Sequence, residues 1–130
     1  MKVVVDSSVF IDYVRARKGL LPQLTDLVRR KKLILYIPTV VILELWTGLS
    51  MSEKGNERKM KRLLRPTKAF PLTRQLAEKS GQLLRDKVIE EFADSVVTAT
   101  ALHLDAQLAT GNKRHFEKAK DLKFFKLQKS

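Results

Sequence analysis

Lys2-Val3-Val4-Val5-Asp6-Ser7-Ser8 sets one carboxylate directly behind three β-branched residues. A valine run without alternation suits a strand buried on both faces, as in a parallel sheet covered by helices. Asp6 then stands at the C-terminal end of that strand, the edge of an open α/β sheet where ligands bind. Ser7 or Ser8 is placed to cap a helix, because Val9, Phe10, Tyr13 and Val14 repeat at helical spacing. Alone, Asp6 reads equally well as a residue that opens the turn. Its meaning depends on the acids that come later.

Beyond a break at Lys18, Gly19 and Pro22, Leu24, Leu27 and Val28 carry a second helix ending in Arg29, Arg30, Lys31 and Lys32. Cations in a last turn complement the helix dipole, so this block needs no ligand to explain it. Residues 33–37 form a second strand stopped by Pro38. A helix follows, with Thr39 as its cap and Val40 to Trp46 as a run in which Glu44 is the only charge. On its helical face Glu44 neighbours Val40, Val41, Thr47 and Gly48, and none of these can pair with it. A carboxylate there requires a wet cleft or a cation, since burying it alone is costly. The competing reading, an exposed stripe, finds no other charge on that stripe.

The spacing predicts a basic helix over 52–65, with Met60, Leu63 and Leu64 facing inward. Lys54, Lys59 and the phosphate-binding candidates Arg58, Lys61, Arg62 and Arg65 cover the rest. Such a run is either a solvated face or a track for phosphates. Residues 68–72 read as a short strand, placed at an edge by Pro71. Thr73 caps a long amphipathic helix carried by Leu76, Leu83, Leu84 and Val88.

In Glu90-Glu-Phe-Ala-Asp94-Ser-Val-Val-Thr-Ala-Thr-Ala-Leu-His-Leu104, the only non-apolar residues after Ser95 are Thr98, Thr100 and His103. This helix is expected to be enclosed on most sides. Asp94 at its start is either a cap or a functional acid, and His103 reads as a core or boundary histidine. Residues 106–110 make a short strand, and Thr110-Gly111-Asn112 turns into a basic segment with Arg114, His115 and Phe116. Residues 122–127 make a last strand. With no repeat and no linker, residues 1–130 read as a single domain, and alternating strands and helices argue for a parallel sheet covered on both faces.

Composition narrows the partners. The chain has no cysteine, which excludes disulfides and thiolate metal sites, and no apolar run of membrane-spanning or signal-peptide length. The expectation is a soluble, cytoplasmic protein. Twenty-six Lys and Arg against 14 Asp and Glu leave a net charge of +12, which attracts polyanions through counterion release. Nucleic acid leads over anionic membrane, because the cations are spread over several elements and form no single amphipathic basic helix. General basicity of the source proteome is the bland alternative.

Asp6, Glu44 and Asp94 can converge on the carboxyl edge of one sheet. Clustered carboxylates repel unless a cation holds them, and hard oxygen donors without Cys or a His cluster favour Mg²⁺ or Mn²⁺ over Zn²⁺. The ordered set Val3-Val-Val-Asp6-Ser-Ser8, Val40-Val-Ile-Leu-Glu44-Leu45, Asp94-Ser-Val-Val-Thr-Ala-Thr-Ala101 and Leu108-Ala-Thr110-Gly-Asn112-Lys-Arg-His115-Phe116 resembles the PIN-domain family, specifically the small VapC-type toxins of prokaryotic toxin-antitoxin pairs. The resemblance implies a three-layer α/β/α sandwich around a parallel sheet of four or five strands, and a Mg²⁺- or Mn²⁺-dependent endoribonuclease. Asp6, Glu44 and Asp94 would be the metal-binding acids, with Ser8 and Thr110 as hydroxyls at the site's edge. An RNA substrate, a cognate VapB-like antitoxin and a homodimer are the implied partners. One departure stands out. The family usually supplies a further Asp where this chain has the neutral Asn112 and His115. Asn112 can offer a carbonyl oxygen or orient a water, His115 favours softer metals, and Glu90 or Glu91 is a substitute acid.

Two other classes compete. A catalytically inactive PIN-like RNA-binding module would keep the fold and the basic surface. A phosphohydrolase or receiver would also use an Asp after strand one, but the first wants a second Asp where Ser8 stands, and the second wants paired acids.

Overall fold

The computed structural model describes residues 1–48 and 53–127. Ser52, the expected start of the basic helix, lies outside them. Elements follow in the order β1 (Lys2–Val5), α1 (Ser7–Ala16), α2 (Leu21–Arg29), β2 (Ile34–Pro38), α3 (Thr39–Thr47), α4 (Asn56–Leu64), β3 (Thr67–Phe70), α5 (Arg74–Arg85), α6 (Phe92–Leu104) and β4 (Gln107–Ala109), then a 3-10 turn, Lys113–Phe116.

The valine run behaves as its pattern predicts. Val3, Val4 and Val5 are fully buried, which is possible only for a central strand covered on both faces. The sheet order is β3-β2-β1-β4, and all three pairings are parallel. Helices flank it in the three-layer α/β arrangement: α6 lies against β1 and β2, α2 and α3 against β2, and α5 packs along α6. Phe10, Leu24, Leu35, Ile37, Leu108, Phe116 and Phe125 fill the core.

Among the described residues four strands form, with no full fifth. The 122–127 segment joins the edge only through a bridge of Phe124 to Leu108, closed by Leu108 N–H to Lys123 O (2.7 Å) and Phe125 N–H to Leu108 O (2.8 Å). β4 is three residues long, so it has little backbone to offer a further partner. β3 occupies the opposite edge, as Pro71 just beyond it suggested.

Several helix starts differ from expectation. Asp6 itself caps α1, accepting from Ser7 N–H at 2.9 Å, so neither serine is the cap. Thr39 is already inside α3, whose cap position is Pro38 with no side-chain bond. Glu91 holds the cap position of α6, leaving Asp94 in the first turn with its carboxylate not used for capping. α5 ends at Arg85, short of Val88, though Thr73 does cap it (3.2 Å to Leu76 N–H). His103 is exposed and lies against the Phe70 ring, at the boundary rather than in the core.

α6 buries every residue from Asp94 to Ala101. Its hydroxyls do not strain that burial, because each bonds back to a carbonyl of its own helix: Ser95 to Phe92 O, Thr98 to Asp94 O and Thr100 to Val96 O. Among the described residues no helix is long and apolar enough to cross a membrane.

Candidate active site

The strand order decides where a site can form. From β1 the chain moves outward to β2 and β3, then returns to place β4 on the other side of β1. The crevice outside the carboxyl ends at such a switch point is the usual ligand site of an open α/β sheet. Val5 pairs with Ala109, so the next residues, Asp6 and Thr110, leave adjacent strand ends side by side.

A closed hydrogen-bond network results. Asp6 Oδ2 accepts from Ser8 Oγ and from Thr110 Oγ1, each at 2.8 Å. Ser8 Oγ in turn accepts from Gly111 N–H (2.8 Å), and Thr110 Oγ1 accepts from Asn112 N–H (2.9 Å). With Ser7 N–H on Oδ1, the Asp6 carboxylate has three donors and one fixed orientation. Ser8 and Thr110 are thus part of the site's frame. Gly111 runs close to the same frame: a Cβ there would lie 3.5 Å from Ser8 Oγ and meet the exposed Asp12 carboxylate, which is free to swing aside.

Glu44 comes from α3, which packs against both α1 and α6. It is half-buried, not on an exposed stripe, and its Oε1 is buried without a hydrogen-bond partner among the described residues. Desolvation raises its pKa above the usual carboxylate value. The Asp6 charge raises it further, the Ser7 hydroxyl pulls it down by hydrogen bonding, and Asp94 and Glu91 push it up again. Asp94, 9% exposed, is likewise raised, first by desolvation and then by Asp6, against the lowering effect of a contact from His115. His115 Nδ1 lies 3.0 Å from Asp94 Oδ2. Asp6, Glu44, Asp94 and Glu91 therefore share one electrostatic neighbourhood.

A cleft of about 300 Å³ opens beside Asp94, lined also by Glu90, Glu91, His115, Arg114 and Lys118. Asn112 is exposed and contributes its backbone to the network. Two α4 cations lie elsewhere: Lys59 and Arg62 line a separate cavity of about 470 Å³ with Tyr13 and Arg17. The role of His115 as the direct partner of Asp94 was not legible beforehand; its place in the basic segment after Thr110 was the only signal.

The donor chemistry suits a hard divalent cation. Carboxylate and hydroxyl oxygens predominate, and an orphaned Glu44 oxygen faces neighbours of its own charge. The spacing is looser than a coordination shell, for among the described residues no three His, Cys, Asp or Glu side chains stand close enough to hold a metal.

A model of the PIN domain matches residues 3–122. The chain belongs to the PIN-domain family. Solved PIN structures share its fold over nearly their full length. VapBC2 from Rickettsia felis, bound to a promoter DNA fragment, superposes with a TM-score of 0.80 at 19% identity, over 98% of this chain and 100% of that one. DNA-bound VapBC from Salmonella typhimurium gives 0.77 at 17% identity over 96% and 97% of the two chains. VapC20 from Mycobacterium tuberculosis, a Sarcin-Ricin loop cleaving toxin, gives 0.67 at 20% over 98% and 99%. Comparison with curated protein sequences returned no match. The PIN assignment accounts for the four-stranded parallel sheet flanked by helices.

Proposed function

We propose that this PIN domain is a Mg²⁺- or Mn²⁺-dependent endoribonuclease, the toxin of a VapBC-type pair, hydrolysing RNA phosphodiesters in the cytoplasm. The observation that carries the reading is the shared neighbourhood of Asp6 just after β1, Glu44 on α3 and Asp94 on α6, around a Glu44 oxygen unpartnered among the described residues. These three acids would have to draw together to hold the cation, with Ser8, Thr110 and Asn112 at its margin. When bound, it supplies neutralisation of charge developing on the phosphodiester and acidification of water.

The chain's own residues do the rest. Asp6 presents a carboxylate that cannot swing, because three donors hold it. His115 fixes the rotation of Asp94 through Oδ2. Arg58, Lys61 and Arg62 on α4, with Arg65 just beyond its end, draw in the RNA backbone without reading bases. The protein partners are a VapB-like antitoxin and a second copy of the chain. Support comes from neighbours that are VapBC or FitAB complexes and from one described as a Sarcin-Ricin loop cleaving toxin.

Asp6→Asn keeps a side chain able to cap α1 while removing the charge. It is expected to abolish cleavage of total RNA in Mn²⁺ and to leave the circular dichroism spectrum unchanged. A variant cleaving at the wild-type rate would remove this site from the mechanism. The neutral Asn112 and His115 favour a second reading, the inactive RNA-binding module. RNA binding that ignores chelator, with no product in either metal, would select it.

A further inference from the structure

Two cations beside Asp94 are not used by the chemistry above. Arg114 and Lys118, four residues apart, line the same cleft as Asp94 and His115. Four carboxylates share that lining, yet neither cation is in an ion pair among the described residues. Their charge is therefore available to a ligand. Phe92 begins α6 two residues ahead of Asp94 and is 80% exposed, the highest value among the exposed large apolar side chains described. A ring left this bare contributes nothing to the core. Free cations lining the cleft and a bare ring two residues ahead of its carboxylate in sequence match the chemistry of nucleic-acid strands, where cations meet phosphate and rings stack on bases.

We propose that Arg114 and Lys118 grip the phosphate next to the one facing Asp94, and that Phe92 stacks on an adjoining base. The proposal deepens the ribonuclease reading and rests on RNA being its substrate. It divides the work of the basic residues: α4 attracts the strand from a separate cavity, and the 3-10 segment seats it. Stacking needs a base freed from its neighbours, so a strand is seated only where its bases can splay out.

The test is fluorescence anisotropy of a labelled single-stranded RNA in EDTA, which reads binding apart from cleavage, with cleavage in Mn²⁺ run alongside. Phe92→Ala is expected to weaken binding about ten-fold. Arg114→Ala and Lys118→Ala should each reduce the log-log salt slope by roughly 0.7. Phe92→Trp should bind like wild type and show emission quenched by RNA, after subtraction of the signal from Trp46, the one native tryptophan. Wild-type affinity and salt slope in all the alanine variants would overturn the proposal, as would a wild type that binds no RNA. Phe92→Ala that turns a dimer into a monomer with RNA affinity unchanged would assign the ring to an interface between copies, and would overturn it too. Binding that follows this pattern without any product in Mn²⁺ supports the seat and removes the nuclease reading, so the two fail separately.

Discussion

Thr110→Val tests the frame that orients Asp6. The change is nearly isosteric, but it deletes the 2.8 Å hydrogen bond to Asp6 Oδ2 at a residue only 3% exposed. A hydrogen bond to a charged group contributes about 1.5–3 kcal/mol net. Asn112 N–H also loses its acceptor, but the residue is exposed and the bond only part-buried, so water can replace it. The expected destabilisation is therefore about 2 kcal/mol. An unfolding entropy of about 2.1 cal/mol/K per residue over 130 residues converts this to a Tm lower by roughly 7 °C. The assay is thermal denaturation in EDTA, read by calorimetry and circular dichroism. Thr110→Ser keeps the hydroxyl and loses one buried methyl, about 0.8 kcal/mol or somewhat more with the void, so it should melt between the two. Ser8→Ala combined with Thr110→Val should destabilise by other than the sum of the single changes, because both hydroxyls serve the same carboxylate oxygen. Equal Tm for Thr110→Val and wild type, or equal losses in Val and Ser, would show that packing rather than the hydroxyl holds this junction.

Glu44 and Asp94 both have raised pKa values, chiefly through desolvation and then through Asp6, so above the ordinary carboxylate range the folded state binds more protons than the unfolded one. Stability from these groups is present at low pH and is lost as pH rises through their raised values. In EDTA, Glu44→Gln should consequently melt above wild type at neutral pH, with the gap closing below the ordinary carboxylate range; melting below wild type at neutral pH would refute the repulsion argument. Mn²⁺ should raise the wild-type Tm and raise that of Glu44→Gln less, and equal shifts would remove Glu44 from the cation's donors. His115→Ala removes the contact that lowers the pKa of Asp94, so its carboxyl titration, followed by ¹³C NMR, should move upward; an unmoved midpoint would mean the imidazole is not paired with it.

Local chemistry in the chain was sufficient for the class of fold. An unalternating Val3-Val4-Val5 can be solvated on neither face, so it demands a covered parallel strand, and the alternation of elements supplies the covers. The lone charge of Glu44 among apolar neighbours marked that acid as costly in place, which is a property of burial and periodicity, whereas Asp94 at the start of an enclosed helix read equally well as a cap. What the order of residues could not convey is which strands become neighbours. Asp6 and Thr110 are 104 positions apart, and they bond only because β4 returns to the far side of β1. The same return sets His115 against Asp94 and leaves the 122–127 segment with a single bridge in place of a strand. Capping followed the same division: composition marked the helix starts, but whether Asp6 or Ser7 accepts the bond depends on backbone angles set by the sheet. Propensity and burial act over a few residues and can be read along the chain, whereas contacts across the switch point depend on the global path of the backbone.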